Sequence, residues 1–133
     1  MIQPKGHIIL LTTSALGFLP FVVHKAIKFY TIDGQPYVLH LTTSGTELVD
    51  FDSFLKNRTI YAEEDIPVKE SFDPEYILAH DKRKFDWMNN NCEDFTSRVV
   101  SKATGKKCFI CSPQRTFWMG LLLLILITLI LIR

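Results

Sequence analysis

The end of the chain limits what the rest can be. From Phe117 to Ile132 the sequence reads FWMGLLLLILITLILI, sixteen residues with no charge and Thr128 as the one polar side chain. As a helix this run rises about 24 Å, at the short edge of what crosses a hydrocarbon core of roughly 30 Å. Arg115 and Arg133 can snorkel to the two surfaces, and Phe117 with Trp118 suits one interface. A buried core helix is the other choice, but nothing downstream could cover its second face. The expectation is therefore a transmembrane anchor at 117–132, a basic linker at 106–116 and a folded domain at 1–105.

Arg98, Lys102, Lys106, Lys107 and Arg115 precede the apolar run, and Arg133 alone follows it. That asymmetry puts the domain on the cytoplasmic side. The positive mean hydropathy of +0.14 comes largely from the tail. A formal net charge of +1 gives no electrostatic case for a nucleic-acid partner. Three cysteines, all late in the chain, are no disulfide framework and fit a reducing compartment. Ile8 to Val23 is also apolar, but Gly17 and Pro20 break it and no small-residue cleavage site follows. It reads as two buried strands joined by a loop.

Ile8–Thr12 is a strand candidate. His24–Tyr30 and Tyr37–Leu41 flank the Asp33-Gly34 turn signal and form a hairpin. Thr42–Asp50 reads as polar and turn-like, Asp52–Lys56 as a short helix or turn, Arg58–Ala62 as a strand, and Glu63-Glu64-Asp65 as a solvated acidic run. Asp73-Pro74-Glu75 starts a helix that runs to about Asp81. Phe85–Met88 is a further strand candidate. A helix then begins near Cys92 and ends before Gly105.

Asn90 or Asn91 can cap that helix, and Glu93 or Asp94 can close a capping box. Cys92 then lies in the first turn, where backbone N–H groups favour an anion and lower a thiol pKa. The hairpin loop decides what serves it. With the three-residue loop Ile32-Asp33-Gly34, His40 lies opposite Ala26, and His24 and His40 share a face as diagonal neighbours about 7 Å apart at Cβ. A two-residue loop would put them on opposite faces. In the first register one imidazole can take the thiol proton while the other fixes its tautomer.

His24-Lys25-Ala26-Ile27, Tyr37-Val38-Leu39-His40-Leu41 and Asn91-Cys92-Glu93-Asp94-Phe95 together resemble the lecithin:retinol acyltransferase family, also described by its H-box and NC motif. Gln3-Pro4-Lys5-Gly6-His7-Ile8 is similar to that family's opening strand. The order His, His, Cys distinguishes the family from the related papain-like cell-wall peptidases, where cysteine comes first. The resemblance covers the first hundred residues or so. It implies an α+β fold, a permuted papain-like domain whose antiparallel sheet packs on the nucleophile's helix. It also implies Cys92 as the nucleophile that forms an acyl-thioester, His24 as general base and His40 as orienting histidine. The oxyanion would be met by amides at the helix start, that of Cys92 included. The implied activity is phospholipid acyl hydrolysis or acyl transfer, with no cofactor and no metal.

Three departures bear on substrate and acceptor. Asp94 stands where the family usually has histidine, Lys25 where it has tryptophan, and the two histidines are spaced a little more widely. A cysteine peptidase or amidase with the same triad, or a non-enzymatic H-box/NC membrane protein, are the alternatives. Elsewhere, His7 reads as surface or strand edge and His80 as a cation suited to a helix end. Cys108-Phe109-Ile110-Cys111 lacks two further ligands for zinc.

Overall fold

The computed structural model describes residues 4–15, 23–86, 90–106 and 113–133. It is a mixed α+β structure with a five-stranded antiparallel sheet and four helices among those residues. The apolar start of the domain forms β1 (Pro4–Ser14), and the histidine-bearing segments form β2 (Val23–Thr31) and β3 (Pro36–Thr42). The β2–β3 turn is the three-residue loop: the Thr31 amide donates to the Gln35 carbonyl at 2.9 Å, and Gly34 takes φ +85°, which a side chain would resist. Register follows from loop length. Phe29 lies opposite Tyr37 and Ile27 opposite Leu39, and in that frame Ala26 faces His40.

The stretch expected to be turn-like, Thr42–Asp50, is a correction. Its second half is β4 (Gly45–Asp50), paired along β3 from Thr42–Gly45 to Tyr37–Asp50. Only Thr43-Ser44 turns, and Gly45, which opens β4, takes φ +115°. Leu48 and Val49 then serve opposite faces of the sheet, a pattern hidden by polar neighbours. Asp50 caps the short helix α1 (Phe51–Leu55), accepting from the Ser53 amide at 3.0 Å.

The strand expected at 58–62 is longer and starts later, as β5 (Ile60–Pro67). It contains Glu63, Glu64 and Asp65, which are exposed as expected and continue the strand. Sheet order is β4-β3-β2-β1-β5, so β5 is an edge, held inward by Ile66 and charged where another chain could add. Helix α2 (Pro74–His80) starts at the Asp73 cap, whose carboxylate accepts from the Tyr76 amide at 3.1 Å. The strand expected at Phe85–Met88 is reduced to one bridge among the described residues, Asp86 with Asn90; Trp87 and Met88 lie outside them.

Helix α3 (Cys92–Thr104) ends at Gly105, φ +72°, as its glycine predicted. Phe95, Val99 and Ala103 pack on one face of the sheet, against Ile8, Ile27, Phe29, Leu39, Leu41 and Ile66. Strand alternation sends Leu11, Ala26 and Val38 to the other face, where Phe54 of α1 covers them. The sheet is thus the middle of three layers.

Helix α4 (Pro113–Leu131) begins four residues before the expected anchor, so part of the expected linker is helical. From Leu122 onward its large apolar side chains are about half exposed or more. Among the described residues no helix is long and apolar enough to cross a membrane. Cys108 and Cys111 lie outside the described residues.

Candidate active site

Three consecutive asparagines precede α3, and the two described ones have separate jobs. Asn91 is the cap: its Oδ1 accepts from the amides of Glu93 at 3.0 Å and Asp94 at 3.1 Å, while Asp94 Oδ2 accepts from the Asn91 amide at 3.0 Å. The residue that departs from the family pattern, Asp94, therefore closes a capping box. Asn90, also buried, accepts from Arg98 Nη1 at 2.6 Å and donates to the Lys84 carbonyl at 2.9 Å. Arg98 also pairs with Asp81 at 3.1 Å. The helix start is fixed from both sides.

Cys92 occupies the first helical position and is 3 % exposed. Its sulfur lies 3.5 Å from the Lys25 amide and donates toward the Val23 carbonyl at 3.9 Å. The reason lies in the β2–β3 ladder. Odd-numbered residues of β2 turn their amides toward β3, as Thr31 does. The last rung of that ladder is Ile27–Leu39, although β3 goes on pairing with β4 as far as Thr42. Beyond the rung the strands part, and the Lys25 amide meets sulfur in place of a third-strand carbonyl.

The two imidazoles lie together, as the three-residue loop requires. His24 Nε2 and His40 Nδ1 are 3.0 Å apart, with rings edge to face. Both rings pack on Phe54, at centroid distances of 6.1 Å and 5.1 Å. They therefore occupy the α1 face, whereas Phe95 and Val99 occupy the opposite one. Cys92 does not share a face with the rings. Its sulfur lies in the opening between β2 and β3, against main chain on both sides of His24.

Two charged residues that the sequence did not single out complete the surroundings. Glu47, directly across β4 from His40, brings Oε2 to 3.7 Å from His40 Nε2. Arg58 lays its guanidinium over the Phe54 ring, 4.8 Å from the centroid. Cross-strand pairing at 40 and 47 was readable only with β4 assigned, and Arg58 lies beyond any local pattern. Lys25, which stands in place of the family tryptophan, donates to Thr12 Oγ1 at 2.6 Å on the α3 face.

Electrostatics reverse one expectation. Burial pushes the Cys92 thiol up, and the Lys25 amide and helix-start amides offset this only in part. Burial also pulls His24 down to about 3, helped by His40 and Arg58, and His40 down to about 4, helped by Arg58. The resting site is neutral thiol beside neutral imidazoles, because desolvation outweighs the helix-end dipole. Among the described residues no cluster of three or more metal-ligating side chains forms.

His7 and His80 stand apart from this site. His7 is exposed and pairs with Asp65 at 3.5 Å. His80 Nδ1 lies 2.9 Å from the Tyr76 carbonyl, in the last turn of α2.

Comparison with protein-family models, with curated proteins and with solved structures returned no match. The class that the fold and site define on their own is an α+β domain with a helix-tip cysteine beside a hydrogen-bonded histidine pair.

Proposed function

We propose that the chain is a membrane-anchored thiol acyltransferase or phospholipid acyl hydrolase acting through a thioester on Cys92. The observation that carries this is the 3.0 Å His24–His40 contact next to a sulfur seated against the backbone flanking His24. It fits the His, His, Cys motif set of the family that the sequence resembles.

The tautomers follow from Glu47. An ionised carboxylate only accepts, so it favours the proton on His40 Nε2. His40 Nδ1 then accepts from His24 Nε2–H, and the His24 Nδ1 lone pair is left as base. In this reading His24 takes the thiol proton as sulfur attacks the ester carbonyl. Following the resemblance, backbone amides at the start of α3, that of Cys92 included, are assigned to the oxyanion. Collapse breaks the ester C–O bond, and His24 returns its proton to the leaving alcohol. Water or another acceptor then loses a proton to His24, attacks the thioester carbonyl and releases the acyl group, and the thiol is re-formed.

α4 is assigned as the anchor that holds this site at a bilayer, with the domain on the cytoplasmic side by flanking charge. Its apolar part from Phe117 to Leu131 rises about 22 Å, short of the usual hydrocarbon core, so local thinning or snorkelling of Arg133 accompanies insertion. From Phe117 to Leu131 every residue but Trp118 and Leu121 is exposed, which favours this over a core role.

The test is the intact mass of the full chain after incubation with mixed phospholipid vesicles. An added acyl group on the wild type is expected, lost in Cys92→Ser and reduced at least about a hundredfold in His24→Ala. Wild-type protein that stays unacylated while both variants fold would refute the assignment. The buried, raised thiol favours a second reading, a non-catalytic thiol-fold membrane protein. Slow alkylation of Cys92 does not separate the two, because burial alone slows it; acyl capture does.

A further inference from the structure

Among the described residues the one arginine or lysine paired with a carboxylate within 4 Å is Arg98, with Asp81; His7 approaches Asp65 and the neutral His40 approaches Glu47. Arg58 belongs to none of these contacts. It is partly buried, in the segment between α1 and β5, and one donor, Nη1, reaches the Ser14 carbonyl at 3.4 Å. The main chain fixes its place: Ser14 and Thr59 exchange hydrogen bonds, Ser14 N to Thr59 O at 2.9 Å and Thr59 N to Ser14 Oγ at 2.9 Å. The guanidinium spreads over Phe54, the ring on which both imidazoles rest. It is within electrostatic reach of His24, His40, Cys92 and Glu47.

A partly desolvated guanidinium has five donors in a planar fork suited to phosphate or carboxylate. Here one donor is used, by a neutral carbonyl at long range, and the nearby site groups other than Glu47 are neutral at rest. We propose that Arg58 binds an anionic phosphodiester carried by the acyl donor, setting the ester carbonyl against Cys92. This rests on the acyl-transfer reading above and adds a substrate feature to it. In a glycerophospholipid only a few bonds separate the phosphate from the nearer ester carbonyl. One cation beside the nucleophile therefore selects phospholipids over neutral glycerides.

Two measurements test it, with full-length protein in neutral detergent micelles. The first compares kcat/KM for dihexanoyl-phosphatidylcholine and for dihexanoylglycerol, which lacks the phosphate. Wild type should prefer the phosphorylated donor, Arg58→Gln should lose about tenfold of that preference, and Arg58→Lys should keep part of it. An equal fall on both donors overturns the assignment, because it places the cation's effect on the chemistry or the fold. The second titrates Cys92→Ala protein with dihexanoyl-phosphatidylcholine and, separately, inorganic phosphate, read by 31P and 1H–15N NMR. Weakening of lipid binding by about tenfold in Cys92→Ala/Arg58→Gln supports the proposal. Unchanged lipid binding overturns it. Phosphate binding without lipid binding also overturns it, by assigning the site to the free ion. If the wild type transfers no acyl group while Arg58-dependent lipid binding holds, the catalytic reading fails and the phosphate site stands.

Discussion

At the residue scale, the buried histidines tie stability to pH. His24 and His40 release their protons at about 3 and about 4 in the folded chain, against 6.5 for an exposed imidazole. Below pH 6.5 the unfolded chain therefore binds more protons than the folded one. The stability that burial allows is fully present above that value and falls as the pH drops toward 3. Each ring contributes a slope of up to about 1.4 kcal/mol per pH unit across that window. Urea unfolding between pH 7 and 4 should show the decline, and His24→Gln/His40→Gln should flatten it. An unchanged slope in the double variant would mean that the rings are not held neutral. The thiol acts at the other end. Its raised folded pKa makes stability fall as pH rises above its ordinary 9.0. The two histidines and the cysteine were legible as a motif. Their neutral state was not, because it depends on Phe54 and on burial between layers, which no local pattern records.

At the scale of single elements, α3 is held at its first turn by Asn91 more than by its own sequence. Asn91→Ala removes the acceptor for two amides and should cost about 1 kcal/mol in chemical denaturation. It should also speed alkylation of Cys92, since a frayed first turn exposes the sulfur; Asn91→Asp should retain most of the stability. No change in either measurement would show that the Asn90–Arg98–Asp81 contacts suffice. The cap was legible at two candidate positions, and the structure places it at Asn91. The hairpin was legible from Asp33-Gly34, but that signal suits a two-residue or a three-residue loop, and the loop length that decides the face of His40 comes from the structure. β4 was missed for a physical reason. An edge strand with one solvated flank needs few apolar residues, and Leu48 with Val49 was too little to outweigh the polar run around it. β5 was legible in its first half and as a solvated acidic run, but not in its length, because carboxylates that guard an edge strand carry no strand signal until the sheet order is known.

At the scale of the whole molecule, the domain and α4 should be separable. Among the described residues, the hydrophobic clusters on both faces of the sheet draw only on those before Gly105. A chain ending after Lys106 should keep its melting temperature to within about 2 °C by circular dichroism. It should no longer float with phospholipid vesicles, whereas the full chain should. Loss of the fold on truncation would instead make α4 part of the core. The apolar run at 117–132 is plain in the sequence, and the helix that carries it begins four residues earlier, at Pro113, a residue suited to a first turn.

The parting of β2 from β3 has a cost and a use. Continued in register past Ile27–Leu39, His40 would pair with Ala26, Leu41 with Lys25 and Thr42 with His24, giving the sheet three more rungs. The Cys92 sulfur, against the Lys25 amide, occupies the berth those rungs would fill. A chain selected only for a tighter sheet would zip this gap shut and eject the sulfur, so the open seam is what lets the tip of α3 reach the main chain on both sides of His24.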